Sequence, residues 1–137
     1  MNSYYPCRIT VKGILLKKDK ILILKRSIRN KKVEGLWELP GGGVDYNENP
    51  NHAIIREIKE EVGIDAKSVT PKYIFHIKKD KGKILGITYL ITFDNSNITL
   101  SKEHLEYKWV NKDELNNYKL IDSLKNELMN FFKKEIL

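Results

Sequence analysis

Three glutamates, Glu57, Glu60 and Glu61, fall within five consecutive residues of a stretch that reads as a helix. Wound at 100° per residue, they occupy a wedge of roughly 100° on one side of it. Like charges three and four residues apart oppose each other by about 0.2–0.5 kcal/mol per pair and push each other's pKa up. Within the helix only Arg56, four residues before Glu60, offsets them, and in the weaker orientation for such a pair. A divalent cation offsets them better: clustered hard oxygens suit Mg²⁺ or Mn²⁺, and Mg²⁺ completes its octahedron with water and phosphate oxygens. The bland alternative is a solvated acidic face.

The residues around the three glutamates decide against that alternative. Gly42, five residues, Glu48, seven residues, then Arg56-Glu57-Ile58-Lys59-Glu60-Glu61-Val62-Gly63-Ile64 fill every fixed position of a 23-residue pattern, the Nudix box, over 42–64. The chain resembles the Nudix hydrolase family outside the box as well. Trp37-Glu38-Leu39-Pro40-Gly41-Gly42 looks like the family's usual approach to the box, and Trp109-Val110 with Asp113-Glu114-Leu115 like its usual tail. The length is that of the compact MutT-type members. The resemblance implies an α/β/α sandwich around a mixed sheet, with residues 1–137 as one such domain. It also implies hydrolysis of a phosphoanhydride in a nucleoside diphosphate derivative, with Mg²⁺ (or Mn²⁺) as cofactor.

Residue by residue, the resemblance makes Glu57, Glu60 and Glu61 metal ligands, joined by the backbone carbonyl of Gly41. Glu57 and Glu60 are the two candidates for general base. Arg56 and Glu48 match positions that brace the loop and orient the carboxylates. Asn47 stands where many members have Gly, at a free position whose left-handed geometry Asn tolerates. Glu103, six residues before Trp109, resembles a loop-borne glutamate that supplements the metal site or acts as base, with Glu106 its nearest competitor. Arg26, ending the second strand, sits where MutT-type enzymes place an arginine near the substrate phosphates. Trp37 and Tyr46 are candidates to stack on a base, Trp37 alternatively packing beneath the glycine loop. His52, His76 and His104 have no metal-ligand spacing and read as surface or structural; Cys7 reads as a small apolar filler of the first strand.

The elements that must position these groups follow from the apolar pattern. Residues 7–16 and 20–26 read as two strands joined by a hairpin at Lys17-Lys18-Asp19-Lys20. Residues 27–35 read as a polar surface loop. The helix that carries the glutamates has a good N-cap in Asn49, Pro50 in its first turn and Gly63 at its C-cap, with Ile54, Ile55, Ile58 and Val62 as its apolar stripe. Residues 69–78 and 83–94 predict two strands around the Lys79-Asp80-Lys81-Gly82 turn, and a short strand follows near Tyr107–Val110. A second helix is expected over roughly 119–134, its core face made of Leu120, Leu124, Leu128, Phe131 and Phe132. Hairpins with two helices argue for a sheet covered on its faces, α+β or α/β in class.

Bulk properties bound the rest. At 137 residues, 41% hydrophobic and 31% charged, the chain suits one soluble domain with a core of its own. No apolar run approaches the ~20 residues of a membrane span, and Met1-Asn2-Ser3-Tyr4-Tyr5-Pro6 has no export signature. The lone cysteine suits a reducing cytoplasm. The net charge of +7 favours anionic partners, but it comes from scattered lysines, with arginine only at positions 8, 26, 29 and 56. A small nucleotide substrate is expected, not a membrane or a nucleic acid, since no aromatic–basic interleaving appears. The rival class is a non-catalytic nucleotide- or nucleic-acid-binding module. Within the enzyme reading, a nucleoside triphosphate pyrophosphohydrolase of MutT type leads, and ADP-ribose or a nucleotide sugar is the alternative substrate. A homodimer, common in the family, stays open.

Overall fold

The computed structural model describes residues 6–27, 35–80 and 82–136. Strands β1 (Cys7–Lys17) and β2 (Lys20–Arg26) form the expected hairpin, with Lys18 at φ 57° in the tight turn. Beyond it lie β3 (Trp37–Glu38), β4 (Gly41–Gly43), α1 (Pro50–Val62), β5 (Ser68–Lys79), β6 (Gly82–Thr92), β7 (His104–Val110) and α2 (Asp122–Glu135). The seven strands make one mixed sheet of order β3-β2-β1-β6-β5, with β4 also on β1 and β7 also on β2. The β1–β6 pair is parallel and the others are antiparallel.

One helix covers each face of this sheet, which explains the unbroken apolar runs of β1 and β2. Val11, Leu15, Leu22 and Leu24 point to the α1 side, where Ala53, Ile54, Ile58 and Val62 meet them. Ile14, Ile21 and Ile23 point to the other side, against Leu128, Phe131 and Phe132 of α2. This is the α/β/α arrangement expected of a mixed sheet with two helices. Among the described residues, no helix is long and apolar enough to cross a membrane.

Helix α1 begins and ends where its caps say it should. The Asn49 side chain accepts from the Asn51 N–H at 2.8 Å, Pro50 opens the helix, and Gly63 closes it with its N–H on the Lys59 carbonyl. Its stripe is narrower than expected: Ile55 is 40% exposed, and Ala53 and Glu61 take the flanks of the buried face. Other boundaries shift as well. Helix α2 starts at Asp122, not 119, because the Lys119 carbonyl is engaged by the Trp37 N–H and the chain stays extended through Ile121. Strand β6 stops at Thr92, its last partner being Ser68 of β5. Strand β7 begins earlier than expected, at His104. Of the loop expected over 27–35, only Ser27 and Gly35 lie within the described residues, and Lys81 of the second turn lies outside them. Cys7 is in β1 but exposed at its start, so it fills no core position.

Candidate active site

Strand β4 is three glycines laid against β1, Gly41 opposite Lys12, Gly42 opposite Val11 and Gly43 opposite Thr10. Two of the three are required by contact. At Gly41, φ is 153° and a Cβ would come within 2.0 Å of the Val11 carbonyl oxygen. At Gly42 a Cβ would meet the Glu57 carboxyl at 2.6 Å. The glycine strand therefore lets α1 bring its acidic edge against the sheet. The loop before β7 is tied to the same helix end, with the Thr99 N–H on the Val62 carbonyl and the Ser101 N–H on the Glu61 carbonyl. These ties set Glu103 beside the helix glutamates. Together they line a cavity of about 690 Å³, with Gly41–Gly43, Glu57, Glu60, Glu61 and Glu103 in its wall and Arg8, Lys12 and Arg26 among its cations.

Arg56 organises the rim. Its Nε and Nη2 donate to the two oxygens of Glu48 at 2.7 and 2.8 Å, a bidentate fork. Its Nη1 donates to Glu57 at 3.0 Å and to Glu60 at 3.3 Å, and Nη2 also reaches the Gly43 carbonyl at 3.2 Å. The fork holds the Glu48 carboxyl down at about 2. The Arg56 guanidinium is raised further above its already high range by the same bonds. Glu57 behaves oppositely: desolvation raises its pKa and outweighs Arg56.

Glu61 is turned inward. Its side chain is 4% exposed, and one oxygen accepts from the Gly41 N–H at 2.5 Å. Burial pushes its carboxyl up to about 7, against that hydrogen bond and the cations nearby. The other oxygen lies 3.3 Å from Nδ1 of His104, whose Nε2 is 2.8 Å from Glu38. Glu38 in turn lies 3.5 Å from Lys12 and 3.7 Å from Arg26. Burial alone would raise Glu38, but the His104 hydrogen bond and those cations outweigh it and lower its pKa.

His104 was expected at the surface or in a structural role. It is buried between the carboxylates of Glu38 and Glu61, a structural placement set by the pairing of β7 on β2, where it stands opposite Arg26. Glu38, Lys12 and Arg8 were not expected in the site at all. Their one signal was local: a charged residue in the middle of an otherwise apolar strand (Lys12), or beside the glycine run (Glu38). Glu106 lies on β7 paired with Lys108, outside the cavity. Tyr46 is 99% exposed and lines neither cavity, and His52 and His76 are exposed.

A second cavity, about 390 Å³, opens between the sheet and α2. It shares Lys12, Arg26 and Glu38 with the first, so the two are adjacent, with these three side chains at their common border. Its walls are largely apolar, including Phe75, Ile77, Ile84 and Leu124, with Thr88 and Glu127 among the few polar groups. Trp37 lines it too, 8% exposed and edge-on to Tyr118 at 4.9 Å.

Comparison with known proteins places this arrangement. The family model of the NUDIX domain matches residues 7–132. The chain belongs to the Nudix family. It is 42% identical over 103 residues to an 8-oxo-dGTP diphosphatase of Buchnera aphidicola, covering 75% of this chain and 76% of that one. It is 30% identical over 110 residues to the CTP pyrophosphohydrolase of Escherichia coli, covering 80% of each. The crystal structure of a MutT protein from Methanosarcina mazei superposes with a TM-score of 0.81 at 25% identity, over 98% of both chains. This Nudix hydrolase is thus an enzyme of MutT type that acts on phosphoanhydrides.

Nudix hydrolases generally use a divalent metal ion, and the donor chemistry here fits one. Glu57, Glu60, Glu61 and Glu103 offer hard oxygens around one cavity, and desolvation of Glu57 and Glu61 leaves carboxylates that a cation would stabilise. Among the described residues, however, no three acidic, histidine or cysteine side chains converge on a common point. Arg56 draws Glu57 and Glu60 one way, while Gly41 and His104 draw Glu61 the other.

Proposed function

We propose that this Nudix hydrolase is a Mg²⁺-dependent nucleoside triphosphate pyrophosphohydrolase. In the overall reaction one water adds at a phosphorus, one P–O–P bridge breaks, and a nucleoside monophosphate and pyrophosphate leave. The observation that carries this reading is the adjacent pair of cavities, one acidic and cation-rimmed, the other apolar, bordering each other at Lys12, Arg26 and Glu38. A nucleoside triphosphate has the matching two ends. The names of the Buchnera aphidicola and Escherichia coli relatives support the same substrate class.

In this reading Glu57, Glu60 and Glu61, with the Gly41 carbonyl and Glu103, hold the metal. When bound, Mg²⁺ supplies charge neutralisation at the phosphate oxygens and a lowered pKa for the attacking water. The chain's own residues do the rest. Arg26 and Lys12 face the phosphates, and Arg56 fixes the orientation of Glu57 and Glu60. Glu57 or Glu60 takes the proton from water as general base. Trp37 forms part of the wall against the base, and Tyr46, outside both cavities, has no part. Residues 1–137 act as one domain, and the single exposed thiol suits a reducing cytoplasm.

The test is release of pyrophosphate and orthophosphate from a panel of nucleoside triphosphates, oxidised purine triphosphates, ADP-ribose and nucleotide sugars, with Mg²⁺ and with Mn²⁺. Pyrophosphate from a triphosphate supports the proposal. Turnover confined to ADP-ribose or a nucleotide sugar refutes it and installs the other substrate class.

A further inference from the structure

The glycine strand β4 is flanked by opposite charges on its two faces. On the α1 face, a Cβ at Gly42 would meet the Glu57 carboxyl. Directions alternate along a strand, so Gly41 and Gly43 turn to the other face. There a Cβ at Gly41 would meet the Lys12 Cδ at 2.9 Å, and one at Gly43 would meet Nη2 and Nε of Arg8 at 3.6 and 3.7 Å. Lys12 and Arg8 thus lie at the two ends of β4, over positions roughly 7 Å apart along the strand. They also differ in surroundings. Lys12 borders both cavities and shares Glu38 as counter-ion with Arg26, whereas Arg8 lines the acidic cavity alone. Among the described residues, Arg8 and Lys102 are the cations of that cavity with no carboxylate at ion-pair distance. Of these two, Arg8 is the one carried on a strand, paired with Ile84 of β6, and its side chain is exposed.

We infer that Arg8 is the residue by which this enzyme distinguishes a nucleoside triphosphate from the diphosphate, its guanidinium donating to the terminal phosphate. The inference rests on the reading of the acidic cavity as the phosphate end of the substrate. With the nucleoside in the apolar cavity, the phosphate nearest the sugar comes to the border at Lys12 and Arg26. Phosphates further along the chain then pass over β4 towards Arg8, with the helix carboxylates on the other flank. A terminal phosphate presents adjacent unbridged oxygens, which the planar fork of an arginine matches with two parallel hydrogen bonds. A diphosphate ends short of that fork. Because Arg8 is exposed, water screens the contact, and the selectivity it confers is roughly 10-fold, the lower end for hydrogen bonds to charged groups.

The test compares kcat/KM for a nucleoside triphosphate and for the diphosphate of the same nucleoside, with Mg²⁺, in wild-type enzyme, R8K and R8M. Calorimetric affinities for the two α,β-methylene analogues, whose bridge resists hydrolysis, are measured in parallel. R8M should lower the triphosphate-to-diphosphate ratio by roughly 10-fold, in kcat/KM and in affinity alike. R8K keeps the charge without the fork and should fall between R8M and wild type. Both variants should keep the wild-type unfolding cooperativity. A ratio unchanged in R8M overturns the inference. So do equal losses on both substrates, which a mere reduction of positive charge would produce. If wild type hydrolyses no triphosphate, the proposed function fails, and the analogue affinities alone decide the role of Arg8. Should R8M not fold, R8K carries the decision by the same ratios.

Discussion

Replacing Arg56 by methionine keeps the apolar stem of the side chain and removes the fork that joins Glu48, Glu57 and Glu60. The side chains of Arg56, Glu48 and Glu57 are 29, 17 and 14% exposed, so the two carboxylates left behind are only partly hydrated. A hydrogen bond to a charged group is worth about 1.5–3 kcal/mol, and breaking a fully buried pair costs about 3–5 kcal/mol. With two well-formed interactions lost, non-additive and partly screened by water, R56M should lose about 2–4 kcal/mol. For a chain of 137 residues that lowers Tm by roughly 6–15 °C. R56K restores the charge but can address only one carboxylate at a time, so it should recover about half of the loss. Thermal and urea unfolding at neutral pH measure both, the urea slope staying constant if only the native state is affected. A Tm for R56M within about 2 °C of wild type, or equal values for R56M and R56K, would refute the reasoning that the fork holds this rim together.

Further outcomes follow from the same structure. G41A should not yield soluble folded protein, since the added Cβ meets backbone at 2.0 Å, whereas G42A should fold and lose turnover by displacing the Glu57 carboxyl that it meets at 2.6 Å; expression yield, circular dichroism and kcat separate the two. Burial raises the Glu127 pKa, so its folded value exceeds the unfolded one and its contribution to stability is present at low pH and lost as pH rises above about 4.5. E127L should therefore match wild type near pH 4 and exceed it at pH 8, by about 1 kcal/mol in urea unfolding; a variant less stable at both values would contradict this. Glu48 has the opposite sign: its pKa is lowered to about 2, so its contribution is present above the unfolded value and lost as pH falls from 4.5 towards 2. E48Q should flatten the acid limb of the stability profile in that window, and an unchanged limb would show that the fork with Arg56 is not populated.

The parts of this protein written in local signals were legible in its sequence. Asn49, Pro50 and Gly63 punctuate α1, and the two runs around Lys18-Asp19 mark the hairpin, because caps and tight turns depend on residues a few positions apart. Strands β3 and β4 carry no such signal. Each is two or three residues long and exists only because β2 and β1 offer a partner. The same non-local pairing explains why His104, Glu38 and Lys12 were missed as neighbours of the glutamates. Glu38 stands opposite Leu24, His104 opposite Arg26 and Lys12 opposite Gly41, registers that no short stretch of sequence reveals. The start of α2 was misjudged because it has no side-chain cap to announce it. Ile55 was assigned to the buried stripe on periodicity alone, whereas the helix leans on the sheet through Ile54, Ile58 and Val62.

The most direct test of the central claim is the rate of phosphoanhydride hydrolysis on the preferred substrate, with Mg²⁺ and with chelator, for wild type, E57Q and E60Q. Chelation should abolish turnover, and each substitution should lower kcat by about 10²–10⁴-fold, while circular dichroism shows the fold intact. Rates in E57Q and E60Q equal to wild type, or turnover indifferent to chelator, would contradict it.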